Sequence, residues 1–344
     1  MKFSYAIGNP PYQETKGGTK NVDIWPDFIR ETKKISKKMC MIHPGRWVIP
    51  KKNMVSNRDS MIKLGLAKFN YFITKPVFNN VGIDGGITMT YFTDEPIDKI
   101  QYTVDDNYSG IYDIYASVFI SDIYEYEAYN KIWNKISNNN SIRGRVYGQI
   151  GSIGYGFGYV KSKHLEQLQK TTDKLKDPIK VWANAGYGLG SSSRYMYQYI
   201  DRDKLDNIPS EVTESRKVMI NSTGRPVSYG GCVNVIHNIP TIVDKNTIGE
   251  NVLFIIPNND TDRELNLVKS LFFTKTARFL LSITEKDHCV RGFENIPDYL
   301  ELAKLLPEDQ LFTDKWFYKT FNFSDSLINY IESHVSEKVE NKEE

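Results

Sequence analysis

Cysteine is scarce: Cys40, Cys232 and Cys289 are the three in 344 residues, and they are far apart. An odd, scattered set gives neither a disulfide framework nor a cysteine-based zinc site. No stretch approaches the ~18 consecutive apolar residues of a spanning helix, so no membrane contact is expected. The opening Met1–Gly8 lacks the apolar core of a secretion signal, and the chain reads as cytoplasmic. An excess of one charge is also missing, with 44 Lys+Arg against 42 Asp+Glu and 40% hydrophobic residues. That balance excludes a disordered or collagen-like chain. The length suits one large domain or two ordinary ones, either able to bury a core.

The near-neutral total conceals an uneven distribution. Residues 1–60 hold twelve Lys/Arg and five Asp/Glu, residues 94–128 one Lys and nine Asp/Glu, and residues 131–194 eleven Lys/Arg and three Asp/Glu. Two basic blocks around an acidic one fit a positive face offered to a polyanion, nucleic acid first among the candidates. They equally fit lysine-rich surface helices that happen to cluster.

Patterning predicts a strand at Phe3–Ile7 that runs into Gly8-Asn9-Pro10-Pro11-Tyr12. A helix follows from Asp23, with Ile24, Phe28 and Ile35 near one face and Pro26 in the first turn. Met39–His43 reads as a buried strand ended by Pro44-Gly45, then a helix over Ser56–Leu66 and strands at Phe69–Thr74 and Ile87–Phe92. That order is half of a doubly wound α/β sheet. Further on, helices are expected near Tyr124–Ile136, His164–Lys176 and Asp262–Leu280, and from an N-cap at Ser324 to about His334. With a strand at Ile179–Asn184, the second half is mixed α+β.

Asn9-Pro10-Pro11-Tyr12 is the most specific feature. With proline about one residue in twenty, such a tetrad should arise by chance in only about one chain in a hundred of this length. It sits at the carboxyl end of a strand, where open α/β sheets bind ligands. The residue types also suit a chemistry. An exocyclic amine on an aromatic base is a weak nucleophile because its lone pair is delocalised into the ring. Acceptors against both N–H bonds draw that lone pair outward, and an Asn side-chain carbonyl and a main-chain carbonyl serve. The double proline stiffens the loop, so little order is lost on binding. The aromatic can stack on a base taken out of the duplex.

The opening Phe3–Gln13 resembles the catalytic motif of adenine-N6 DNA methyltransferases, particularly the large type II restriction–modification methylases. The likeness continues through Met41–Trp47, Val77-Phe78 and Val81–Gly86, and more loosely through Phe312–Trp316 and the helix to His334. The resemblance implies a partial Rossmann-like, doubly wound methyltransferase sheet followed by a mixed α+β target-recognition domain. It implies a catalytic half at residues 1–96, a Tyr/Asp- and Gly-rich connecting region at 97–160, a DNA-binding part at 161–335 and a charged tail at 336–344. Asn9, Pro10, Pro11 and Tyr12 would form the catalytic turn. Asn9 and Pro10 would accept from the adenine amine, Tyr12 would stack on the flipped base, and Phe78 would be a second stacking candidate. S-adenosylmethionine would be the donor and double-stranded DNA the substrate.

The pattern departs from the family in one respect: only eight residues precede Asn9, where the family carries a half-sheet with a glycine-rich cofactor loop. A partner chain supplying that half, a permuted order, or a DNA-binding module that no longer methylates would each account for it. Two glycine-rich stretches bear on permutation. Gly151–Gly158 reads as a flexible connection more than a nucleotide loop, and Ala185–Arg194 follows a strand and suits a phosphate contact or a plain exposed loop. Arg46-Trp47 either lines the base-facing side or packs an Arg stem over an indole. Arg194, Arg216, Arg225 and Arg291 are candidates for phosphate or guanine contacts, or solvated surface charges. The five His residues are dispersed, and Asp287-His288-Cys289 matches no standard metal spacing, so no metal is expected.

Overall fold

The computed structural model describes residues 2–16, 20–48, 55–73, 77–78, 85–113, 119–148, 160, 164, 166–184, 195–205, 208–221, 236, 239–283 and 292–338. The chain divides into two compact units, Met1–Tyr126 and Glu127–Glu344.

The first unit opens with β1 (Phe3–Gly8) and a hairpin of β2 (Gln13–Lys16) and β3 (Lys20–Asp23). Then come α1 (Trp25–Ile35), β4 (Ser36–Pro44), α2 (Val55–Lys63), β5 (Leu66–Phe72), β6 (Ile87–Phe92), β7 (Ile100–Val104) and β8 (Tyr108–Tyr112). Six strands form one sheet in the order β1-β4-β6-β5-β7-β8. Pairs β1/β4 and β5/β7 are parallel, whereas β4/β6, β5/β6 and β7/β8 are antiparallel. The unit is therefore mixed α/β, with β1, β4, β5 and β7 running one way and β6 and β8 the other. Element order in the sequence carries no signal for pairing direction. Residues 100–112, within the stretch read as a connecting region, form two strands of this sheet, joined by a tight turn with Asp105 and Asp106 at positive φ.

Helix α1 forms where expected, with Pro26 in its first turn, Asp27 near its N-terminus and Lys33 and Lys34 in its last turn, each suited to the helix dipole. Its buried face needs correction. Trp25, Ile29 and Lys33, spaced by four, face the sheet, and Phe28 and Ile35 are exposed. Lys33 is buried by its stem while its ammonium pairs with Asp94 and donates to the Lys37 carbonyl. In β4, alternation buries Met39, Met41 and His43 against this helix side.

Aromatic side chains fill the core. Phe69 packs edge-on to Trp47 at 5.2 Å and to Tyr112 at 5.2 Å, and stacks on Tyr102 at 5.4 Å. The turn after β4 closes on Gly45, whose N–H donates to the Gly86 carbonyl at 2.9 Å. A Cβ on Gly45 would lie 2.4 Å from the Tyr71 ring, so only glycine fits.

The second unit has two sheets. One is ordered β11-β10-β14, from Tyr195–Asp201, Pro178–Asn184 and Thr247–Gly249. The other is β13-β12-β15-β9, from Thr241–Val243, Lys217–Asn221, Val252–Ile255 and Val146–Tyr147. Two expectations are revised here. Described residues in 166–177 form turns and one bridge to Tyr199 rather than a helix, in keeping with the Thr171-Thr172-Asp173 cluster. The helix expected over Asp262–Leu280 is two helices, Asp262–Phe273 and Lys275–Ser282, because Thr274 turns its side chain to cap Ala277 N–H. Val146-Tyr147 pairs with β15. The last helix, Asp325–His334, starts on the expected Ser324 cap.

Candidate active site at the end of the first strand

The proline turn is held at both ends. On its N-terminal side, β1 pairs in register with β4 as far as Gly8 opposite Met41. On its C-terminal side, the Tyr12 carbonyl accepts from Ile24 N–H at 3.1 Å, and the β2–β3 hairpin begins with Gln13 opposite Asp23. The Gln13 side chain also donates to Asp23 at 3.0 Å. Only Asn9, Pro10 and Pro11 lie between the two anchors, and the prolines fix two of their three φ angles.

Asn9 and Pro11 are exposed, and Pro10 and Tyr12 are partly buried. Neither the Asn9 carboxamide nor the Pro10 carbonyl has a hydrogen-bond partner among the described residues. Two acceptors of the required kind therefore stand next to each other in sequence on a stiff, accessible turn. Tyr12 is set differently: the residue is partly exposed, but its hydroxyl is buried without a partner among the described residues. Burial raises the pKa of that hydroxyl, so it stays protonated through the neutral range.

Beneath the turn, β4 and α1 bring up a buried aromatic layer. Trp25, next to the Ile24 that binds Tyr12, stacks on His43. His43 Nε2 lies 2.9 Å from Thr90 Oγ1, and full burial holds its pKa down at about 3, so the ring is neutral. Trp47 donates from Nε1 to Thr88 Oγ1 at 3.0 Å. Sequence reasoning passed over Trp25 and His43 because only the fold brings Ile24 back to Tyr12. Spacing alone does not show that return.

The other candidates are dispersed. Trp47 is fully buried and lines no surface. Arg46 is partly buried, and its stem lies over Gly85, where a Cβ would come within 2.5 Å of Arg46 Cγ. Phe78 is partly buried. Arg216 is committed to two carboxylates, Asp260 and Asp262, each at 2.6 Å. Arg194, Arg225 and Arg291, both glycine-rich stretches and Asp287–Cys289 lie outside the described residues. No group of three or more His, Cys, Asp or Glu among the described residues could hold a metal ion. No helix among them is long and apolar enough to cross a membrane.

The first unit is thus mixed α/β, with an asparagine–proline turn at the end of its first strand. Residues 1–78 match the family model described as Eco57I restriction-modification methylase, which bears out the resemblance seen in the sequence. An uncharacterized adenine-specific methylase of Mycoplasma pneumoniae is 36% identical over 95 residues, covering 25% of this chain and 22% of that protein. The chain thus aligns with about a fifth of the curated relative it matches. Among solved structures, the type IIL restriction-modification enzyme MmeI in complex with DNA gives a TM-score of 0.44 at 9% identity, covering 96% of this chain and 54% of that one. The type I methyltransferase subunit from Streptococcus thermophilus gives 0.25 at 12% identity, covering 30% and 26%.

Proposed function

We propose that this chain is the catalytic and recognition part of a DNA adenine-N6 methyltransferase of a restriction–modification system, acting on a flipped adenine. The observation that carries the reading is the turn itself, anchored at Gly8 and Tyr12, with the Asn9 carboxamide and the Pro10 carbonyl bonded to none of the described residues. Asn9 Oδ1 and Pro10 O would accept from the two N–H bonds of the base amine, raising its nucleophilicity without any proton transfer to the protein. Tyr12, its hydroxyl turned inward, would offer its ring as the stacking surface, with Phe78 a candidate for the opposite face. Arg46, Arg194, Arg225 and Arg291 are proposed as DNA contacts. Arg216 would have to exchange its two carboxylates for phosphate to serve as one.

By themselves the described residues do not fit S-adenosylmethionine. The outer edge of β1 has no described neighbour, so no described strand encloses a cofactor on that side of the turn. We read the cofactor half of a Rossmann-like sheet as arriving on a partner chain that pairs with this edge. The residues exposed along β1 support that reading: Ile7 is 84% exposed, Phe3 69% and Tyr5 62%. The same bare edge favours a second reading, a DNA-binding module derived from such an enzyme that no longer methylates. Calorimetry separates them. Binding of S-adenosylmethionine by the chain together with its partner supports the first, and duplex binding with no cofactor binding in either state supports the second.

A further inference from the structure

The sheet β11-β10-β14 has two unlike faces. One buries Ile179, Val181, Ala183 and Ile200 almost completely. The other carries Lys180, Trp182, Tyr197 and Tyr199, all partly exposed. Register pairs Lys180 with Tyr199 and Trp182 with Tyr197, so the four side chains share one face. Trp182 and Tyr197 meet edge-to-face at 4.9 Å, and Lys180 Nζ stands 4.1 Å above the Tyr197 ring.

The segment that bridges to the open edge of this sheet, through Gln169 opposite Tyr199, is lysine-rich. Lys170, Lys174 and Lys176 are exposed, and neither they nor Lys180 forms an ion pair with any described residue. Among nearby carboxylates, exposed Asp244 lies close enough to Tyr197 to add to the burial that raises that phenol's pKa, and two others are engaged. Asp177 pairs with Arg202 at 2.7 Å, and Asp201 accepts the backbone N–H groups of Lys176 and Asp177 at 2.7 and 2.9 Å. Glu166 and Asp173 are the exposed acids left on the segment, two against four cations. The patch lies in the basic block 131–194.

Uncompensated ammonium groups beside a flat aromatic face match an occupant that alternates anionic and apolar faces, as a sugar–phosphate chain does. We propose that the Lys180, Trp182, Tyr197 and Tyr199 face, with Lys170, Lys174 and Lys176 beside it, seats the sugar–phosphate backbone of duplex DNA. The choice of DNA rests on the methyltransferase reading above; the surface does not.

The test uses the full chain and a fluorescent 30-mer duplex, with anisotropy titrations over a salt series. Replacing Lys170, Lys174, Lys176 and Lys180 together by Gln should weaken binding at least about tenfold and lower the log–log salt slope by up to roughly 3.6, at about 0.9 for each phosphate left without its cation. The matching four-arginine variant should bind like wild type, and unchanged far-ultraviolet dichroism guards against misfolding. Wild-type binding with an equally tight, equally salt-sensitive glutamine variant overturns the surface but leaves the DNA reading standing. A wild-type chain that ignores duplex DNA even at low salt overturns both. A duplex RNA that competes better than DNA through the same lysines also overturns the proposal as stated.

Discussion

The indole of Trp25 lies parallel to the imidazole of His43, ring centroids 4.4 Å apart and planes 10° from coincidence. The pair joins the first helix to strand β4, and Ile24, one residue before the indole, holds the Tyr12 carbonyl. A neutral, fully buried imidazole makes that support sensitive to acid.

The folded pKa of His43 is about 3, well below its ordinary value of 6.5. The unfolded chain therefore binds the proton first. The stabilisation is complete above pH 6.5 and is lost as pH falls from there toward 3. The full effect is on the order of 5 kcal/mol, at about 1.4 kcal/mol per pH unit. Thermal melts of the wild type should fall steeply between pH 6.5 and 4, and His43→Gln should flatten that segment. Parallel curves for the two proteins would rule out His43 as the acid-sensitive group.

Tyr12 separates ring from hydroxyl. Its hydroxyl is buried without a partner, so Tyr12→Phe should leave stability unchanged or raise it by up to ~1 kcal/mol. Duplex methylation should persist in that variant. Tyr12→Ala removes the platform and should weaken retention of an extrahelical base by ~1–3 kcal/mol. Chemical denaturation and 2-aminopurine fluorescence on a duplex substrate give the two readings. Loss of activity in the phenylalanine variant would mean that the hydroxyl, and not the ring, is what matters.

Lys217 is fully buried on β12, with its ammonium bonded to the Ser215 and Asp244 carbonyls and lying over the Phe254 ring. Desolvation lowers its pKa from 10.5 to about 8. The unfolded chain holds the proton more tightly, so below pH 8 the charged lysine costs stability, and that cost is relieved as pH rises from 8 to 10.5. Lys217→Met should raise stability at pH 7 by ~1–3 kcal/mol. The advantage should shrink toward pH 10 in urea titrations. A methionine variant that is less stable at pH 7 would show that the two carbonyl bonds outweigh the desolvation.

The open edge of β1 makes a prediction about association. The chain should self-associate as concentration rises, and Phe3→Lys with Ile7→Lys should suppress this with little change in melting temperature. Light scattering against concentration checks it. Scattering that does not respond to the substitutions would place the sticky surface elsewhere.

Strands β1, β4 and β6 are legible in the sequence because their apolar residues crowd into short runs ended by glycine or proline, and the Asn9–Tyr12 turn because its composition is rare. The buried face of α1 is not, since Phe28 and Ile35 look like core residues until Trp25 and Ile29 are seen taking that side. Nor can Arg216 be told from a free cation, because its partners Asp260 and Asp262 lie more than forty residues on, across a fold the sequence does not spell out.

The proposed role of the Asn9–Pro10 turn is tested most directly by mapping N6-methyladenine in the DNA of cells that express the chain from its own locus, comparing wild type with Asn9→Ala. Methylation at one recurring sequence in the wild type, absent in a variant that binds duplex within about twofold of wild type, is the predicted result. Methylation that persists in the variant would contradict the account.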